Sequence, residues 1–480
     1  MKRVSFVLGI LLLFESVFLI VSTAVALIYQ ESFGYLVLSF LITAATGAIL
    51  TLAGRNDFRQ LTNNEGYSIT GASWLLFAVF GMFPYYLGGF VPTLTDAFFE
   101  SLSGFTATGL SVINDIESKP CGILFWRSVT QWVGGLGILV TVIAFLPNLN
   151  GMNKQLFLTE TTNVTYHKIS SGTGRTSLII IVIYATLTLL AGCSLFLSGM
   201  CPFDAVCHSF SAVSTGGFST KNAGIAYWNI PVIEIILGFF MFISGINFAL
   251  ICKLAKKETD TLVKDDELKW YYKTAILFIV LVAGILTATE TYDGGTSLRK
   301  SFFFITSAIS SNGLPNGNIG NWTPFLQMLL LVILAAGSCT GSAGGGIKYL
   351  RIMIMVKNIR NQFRLLFNPN IIYSVNVNKT ALQPQIFATA FIFVIIFIFF
   401  VFAGWVVLLA VDVSFDDGIK AVMAAICNSG PGIMSFTDEF SMSALPDVAK
   451  WILSFLMLAG RHEILGLLLL FYRGFWKGNV

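Results

Sequence analysis

Long apolar runs separated by short polar segments recur from one end of the chain to the other. Most are about 20 residues long, the length an α-helix needs to cross roughly 30 Å of hydrocarbon. The pattern predicts ten membrane helices, over 4–29, 33–53, 70–90, 121–146, 175–198, 229–252, 272–289, 323–357, 385–411 and 446–472. The first run follows Lys2 and Arg3 and passes Ala24-Val25-Ala26, features that a secretory leader also shows. Its apolar core of about 24 residues exceeds the 7–15 of a leader, so it is expected to be a span.

Shorter segments that cannot span lie between these runs. DAFFESLSGFTATG at 96–109 and DAVCHSFSAVSTG at 204–216 are two, and SAISSNGL at 307–314 and AAICNSGPGIM at 424–434 end in the same manner. Each places a small or hydroxylated residue or an Asn before a glycine: Gly109, Gly216, Gly313 and Gly430. A recurrence of about 100 residues divides the chain into four units, each a span, a short segment with its turn, and a second span. Two crossings return the chain to its starting side, so the units are expected to be parallel rather than inverted.

Asp96, Asp204 and Asp417 open the short segments, where a carboxylate can cap free N–H groups. Lys300 stands near that place in the third copy, and Thr296, Ser297 and Ser301 are its expected caps. A half-helix that ends inside the membrane aims the negative end of its dipole at the centre, which favours a cation. The irregular backbone beyond it is tolerated only where it is buried in protein or lines water. Glycine suits such a turn because it adopts φ values other residues avoid and leaves carbonyls free to replace a hydration shell. Glycine in ordinary helix packing is the competing explanation of any one turn.

Composition removes the soluble classes: 55% of the 480 residues are hydrophobic, 11% are charged, and the mean hydropathy is +0.78. Lys and Arg fall about three to one on the side that carries the termini, so both termini are expected to be cytoplasmic. The formal charge of +4 is then a topology signal and implies no nucleic-acid partner. The cysteines form no CxxC pair and no metal-ligand spacing, and a disulfide among Cys121, Cys201 and Cys207 stays open.

FESLSGFTATG, FWRSVTQWVGGLGI, FSAVSTGGFST, GSCTGSAGGGIKYLR, NSGPG and AGRHEILGLLLLF resemble the TrkH/TrkG branch of the Trk/Ktr/HKT superfamily of potassium transporters, over nearly the whole chain. The resemblance implies an all-α polytopic membrane protein. An N-terminal helix pair (1–64) precedes four parallel helix–pore-loop–helix repeats in pseudo-fourfold array, at 65–155, 156–263, 264–366 and 367–480. It implies a filter in which backbone oxygens around Thr108-Gly109, Thr215-Gly216, Asn312-Gly313 and Ser429-Gly430 hold K⁺, with Thr106, Ser214, Ser311 and Asn428 close by.

AAGSCTGSAGGGIK (335–348) must interrupt the span 323–357, because its glycines make a poor helix interior. A phosphate loop is excluded: Ile347 separates Gly346 from Lys348, and Tyr349 follows. By resemblance this run is an intramembrane gate, formed by Gly337, Gly341, Gly344, Gly345, Gly346 and Lys348. Arg461 has roughly ten apolar residues on each side, so it must face water or a partner. The resemblance places it in the permeation path below the filter; an ion pair with Glu463 or snorkelling is the structural alternative. His208 and His462 are expected to pack, and Arg127, with Trp126 and Trp132, to start a pore-lining helix or anchor it at an interface.

The resemblance further implies potassium uptake across the bacterial cytoplasmic membrane by a homodimer that contacts membrane lipid. A cytosolic TrkA-like ring that binds NAD and ATP would regulate it, and no nucleotide is expected on this chain, which has no GxGxxG after a predicted strand. Glycine at all four filter positions favours K⁺ over a Na⁺-permeable or cation-coupled relative, since sodium-preferring relatives often carry Ser in the first. A polytopic membrane enzyme would need converging reactive groups, and only Arg461, His462 and Glu463 cluster within a span.

Overall fold

The computed structural model describes residues 2–55, 63–137, 173–255, 258, 263–368, 375–378, 380–382, 384–437, 440–462, 464 and 468. The far ends of the expected spans 121–146 and 446–472, the repeat boundary at 155/156, His167 and Glu463 lie outside the described residues.

Helices α1 (Lys2–Ile28) and α2 (Gly34–Gly54) pack closely against each other. Small residues allow this: a Cβ on Gly47 would stand 3.0 Å from the Gly9 carbonyl and the Leu13 amide. The first unit contains α3 (Asn63–Gly81), the single turn α4 (Phe83–Leu87), α5 (Leu94–Phe105) and α6 (Cys121–Leu136). The second contains α7 (Thr173–Leu197), α8 (Pro202–Ser214), α9 (Pro231–Ser244) and α10 (Phe248–Ala255). The third contains α11 (Asp266–Ala288), α12 (Gly294–Ile309), α13 (Pro324–Ala336) and α14 (Tyr349–Phe367). A hairpin of two-residue strands, β1 (Asn376–Val377) and β2 (Thr380–Ala381), leads to the fourth: α15 (Pro384–Ala410), α16 (Phe415–Cys427) and α17 (Asp447–Arg461).

Six helical segments among the described residues are long and apolar enough to cross a membrane: α1, α2, α3 together with α4 (Asn64–Leu87), and the first helices of the other three units, α7, α11 and α15. The second helices of the first two units correct the expectation of ten continuous spans, in which only 323–357 was to break. Within the described residues α6, α9 and α13 stop at Leu136, Ser244 and Ala336, α9 turns by 103° into α10, and α17 runs to Arg461 with Ile464 and Leu468 again helical. The backbone at these three breaks is glycine, Gly137, Gly245 and Gly337, and Gly137 and Gly337 take φ of 88° and 72°. At Gly137 and Gly337 the backbone leaves helical φ and the helix ends, whereas Gly245 keeps a φ of −77°.

Each short helix packs against the second helix of the preceding unit: α8 on α6, α12 on α9, α16 on α13, and α5 on α17, which closes the ring. This cyclic order gives the four units their pseudo-fourfold arrangement. Leu189, Phe239, Ile276, Ile395 and Phe399 are exposed outside it, on the surface a bilayer would cover.

The caps differ in detail from those expected. Thr93 and Ser414 accept the N–H of Asp96 and Asp417 at 3.1 and 3.2 Å, and Cys201 Sγ accepts that of Asp204 at 3.4 Å. The aspartates thus occupy the third helical position. Two of them reciprocate, accepting from Thr93 and Ser414 hydroxyls at 2.8 Å. In the third unit Asp293 is the cap, taking the Thr296 N–H at 3.2 Å, in place of the expected Thr296, Ser297 or Ser301. Helix α12 has 16 residues against 12 or 13 in the other three, so its cap lies about one turn earlier. All seven cysteines are free thiols, so Cys121, Cys201 and Cys207 form no disulfide.

Candidate ion-conduction site

Each short helix ends in a left-handed residue: Ala107, Thr215, Ser311 and Asn428, with φ of 53°, 57°, 61° and 50°. The amide that follows reaches back to a carbonyl five residues earlier: Thr108 to Ser103, Gly216 to Ser211, Asn312 to Ser307 and Ser429 to Ala424, each at 2.9 Å. This shared C-terminal closure sets the register of the four turns. Thr108, Gly216, Asn312 and Ser429 share one position, and Gly109, Gly217, Gly313 and Gly430 share the next.

The second turn therefore differs from the sequence reading by one residue. Gly217, with φ 80°, matches Gly109 at 85° and Gly313 at 67°, whereas Gly216 matches Thr108. Two adjacent glycines hide the offset in the sequence. Gly430 keeps the position but not the conformation, at φ −67° and ψ 169°; Pro431 restricts its predecessor to extended backbone.

The turns meet backbone to backbone. A Cβ on Gly109 would overlap the Gly216 carbonyl, one on Gly217 the Asn312 carbonyl, and one on Gly313 the Gly430 backbone. Gly430 N–H donates to Asn312 O at 3.0 Å and Gly432 N–H to Gly313 O at 2.8 Å. Asn428 Nδ2 donates to Thr108 Oγ1 at 3.0 Å, joining the fourth unit to the first, and Thr108 Oγ1 shares a 2.7 Å hydrogen bond with Thr106 Oγ1. Asn312 Nδ2 donates to Ser211 O at 2.8 Å, joining the third unit to the second. Ser214, Ser311, Thr106 and Asn428 are all buried beside these turns.

Side chains behind the turns hold them in place. Gln131 bridges Gly216 O, at 2.5 Å from its Nε2, and the Phe218 N–H, 3.2 Å from its Oε1. Arg127 is not an interfacial anchor. It is buried, its Nε 2.7 Å from Glu100 Oε1, with a further bond to Ser219 O at 3.2 Å and its guanidinium carbon 3.7 Å above the Phe218 ring. Glu100 also takes the Val112 N–H at 2.9 Å, so this pair braces the chain after two turns. His208 does more than pack: its ring nitrogens bond Asp204 O at 2.8 Å and Ser219 Oγ at 3.0 Å. Glu100 and Gln131 were missed as functional residues, although their place within apolar segments is the signal that singles out Arg461.

The glycine-rich run lies directly against the ends of two short helices. A Cβ on Gly344 would overlap Ser310 O, and one on Gly345 would overlap Cys427 O. Gly337, Gly341, Gly346 and Lys348 all have positive φ, and the run is a loop, as its composition predicts. It is stitched to the break between α9 and α10 by Cys339 N–H to Gly245 O at 3.0 Å and Phe248 N–H to Gly341 O at 3.1 Å. The Lys348 ammonium donates to Gly344 O and to Ser338 Oγ. Arg461 reaches the same loop, donating to Ala343 O at 2.7 Å and, on its other side, to Gly134 O and Gly135 O of α6. Half-helices aimed at a common backbone constriction, with an irregular loop beneath, are the architecture of a pore-forming membrane protein.

The chain belongs to the TrkH family, described as cation transport protein, whose sequence profile matches residues 35–477. It is 32% identical to the Trk system potassium uptake protein TrkH of Salmonella typhimurium and 30% identical to the Trk system potassium uptake protein TrkG of Escherichia coli K12, each comparison covering 99% of both chains. Its fold matches the crystal structure of the potassium transporter TrkH from Vibrio parahaemolyticus with a TM-score of 0.89 at 29% identity, covering 99% of each chain.

Proposed function

We propose that this chain takes up potassium across the bacterial cytoplasmic membrane, with both termini cytoplasmic. The observation that carries this reading is the common register of the four turns. Four helix C-termini direct negative potential at one constriction, whose backbone has room for no side chain at Gly109, Gly217 or Gly313. Carbonyls around Thr108-Gly109, Gly216-Gly217, Asn312-Gly313 and Ser429-Gly430 form the filter. Thr215, Thr106, Ser214, Ser311 and Asn428 support it. The loop 337–348 is the gate, and Arg461 places a fixed positive charge beside the path beneath the filter. The repeats divide near 64/65, 155/156, 263/264 and 366/367, with α3 and α14 each kept whole.

The names of the relatives, as parts of a Trk system, support an assembly with other subunits. The chain works as a homodimer in contact with membrane lipid, and nucleotide sensing resides in a TrkA-like ring that binds NAD and ATP. Purified protein in liposomes should show protein-dependent ⁸⁶Rb⁺ uptake that external K⁺ suppresses and equal Na⁺ does not. Uptake no greater than in empty liposomes would refute the assignment; equal suppression by Na⁺ would favour the cation-permeable alternative.

A further inference from the structure

A single carboxylate holds both ends of the gate loop. Glu267, in the first turn of α11, is buried, and its Oε1 accepts the N–H of Thr340 at 2.7 Å and the N–H of Leu350 at 3.1 Å. Thr340 lies near the start of the loop and Leu350 in the first turn of α14, just after its end. One side-chain oxygen, with two lone pairs, can take both N–H groups at once. Two otherwise separate pieces of irregular backbone are thereby referred to one helix.

The two residues before Glu267 face a different junction. Asp265 caps α11 by taking the Leu268 N–H at 2.8 Å, and it also accepts Asn378 Nδ2 at 2.9 Å. Asp266 N–H donates to Asn378 Oδ1 at 2.8 Å, while the Asp266 carboxylate accepts Lys357 Nζ at 2.9 Å and Asn378 N–H at 3.3 Å. Lys357 also donates to Asn376 O at 2.8 Å. The start of α11, the middle of α14 and the β1–β2 hairpin thus meet at one partly exposed polar junction, on the face assigned above to the cytoplasm.

We propose that Glu267 is a positioning residue that keeps the gate loop in its closed arrangement and links it mechanically to the cytoplasmic junction of Asp265, Asp266, Lys357 and Asn378. The inference rests on the gate reading given above. Residues 265–267 belong to one helix start, so a partner that shifts the hairpin or α11 withdraws the carboxylate from both loop amides. The loop is then free to rearrange while the turns above it keep their own supports.

The test uses the full chain in liposomes, with two readouts: ⁸⁶Rb⁺ flux and backbone amide exchange over residues 338–350. E267A should raise basal flux several-fold and speed exchange, whereas E267Q, whose amide oxygen can accept the same two N–H groups, should stay near the parent in both. E267D keeps the charge and shortens the reach by one methylene; it should move both readouts in the direction of E267A, and it carries the test if E267A does not fold. Unchanged exchange in E267A or E267D overturns the clamp, and faster exchange with unchanged flux overturns its role in gating. Absence of protein-dependent flux in the parent and in every variant would overturn the transport reading itself, a result distinguishable from both.

Discussion

Arg461 donates to the carbonyl oxygen of Ala343 at 2.7 Å, tying the end of α17 to the middle of the glycine-rich loop, 118 residues away in sequence. The same guanidinium reaches Gly135 O at 2.8 Å, so it spans from the loop to the broken end of α6. Its position allows two effects on a passing cation: direct repulsion, and restraint of the loop that lies in the way.

Arg461→Ala should therefore raise ⁸⁶Rb⁺ flux. Hydrogen bonds to a charged donor contribute about 1.5–3 kcal/mol, so a modest loss of thermal stability is expected alongside. Breaking a buried ion pair would cost more, about 3–5 kcal/mol. Slower flux in a protein that remains folded would show that Arg461 serves the structure rather than the barrier.

Arg127 and Glu100 are that second kind of pair, with side chains only 2% and 0% exposed. Arg127→Ala leaves a carboxylate buried without its partner and should destabilise the protein by about 3–5 kcal/mol. Adding Glu100→Gln should recover part of the loss, because the remaining group is neutral. Thermal unfolding of the purified single and double variants checks this. A change within about 0.5 kcal/mol, the range of an ordinary surface substitution, would contradict it.

Asp293 offers a test by pH. Hydrogen bonds from Thr296, side chain first and backbone N–H second, hold its carboxyl below the usual carboxylate range. A depressed folded pKa stabilises above the unfolded value, about 3.9, and that contribution is lost as pH falls through the folded value. Asp293→Ala should thus lower the melting temperature at neutral pH. The gap from the parent should narrow as pH drops into the acid range, and a gap independent of pH would place the effect elsewhere than in the cap.

Much of the architecture was legible because the bilayer imposes it. Span length, the positions of Asp96, Asp204 and Asp417, and the small residues before each turn follow from constraints that act locally along the chain. The register of the second turn was not legible, because Gly216 and Gly217 are adjacent and only the left-handed φ of Thr215 chooses between them. The Asp293 cap was missed because one extra helical turn in α12 shifts the offset that the other units share. The ends of α6 at Leu136 and of α9 at Ser244 were not legible, because hydropathy does not report backbone conformation or contacts between distant segments. Gly134, for example, packs on the Phe105 carbonyl of α5, a contact between distant segments that hydropathy does not encode. The pairing of Arg127 with Glu100 and the bridge by Gln131 are long-range in the same sense.

The central claim is that the four turns in their common register select the ion, and competition of ⁸⁶Rb⁺ uptake by K⁺ and Na⁺ in Gly109→Ser and Gly217→Ser tests it most directly. Both glycines have positive φ and abut the backbone of a neighbouring turn, so a side chain at either must displace the carbonyls around the path. The account expects both variants to fold and carry ⁸⁶Rb⁺ with the preference for K⁺ over Na⁺ reduced or lost. Folded variants whose K⁺ and Na⁺ competition curves match those of the parent would contradict it.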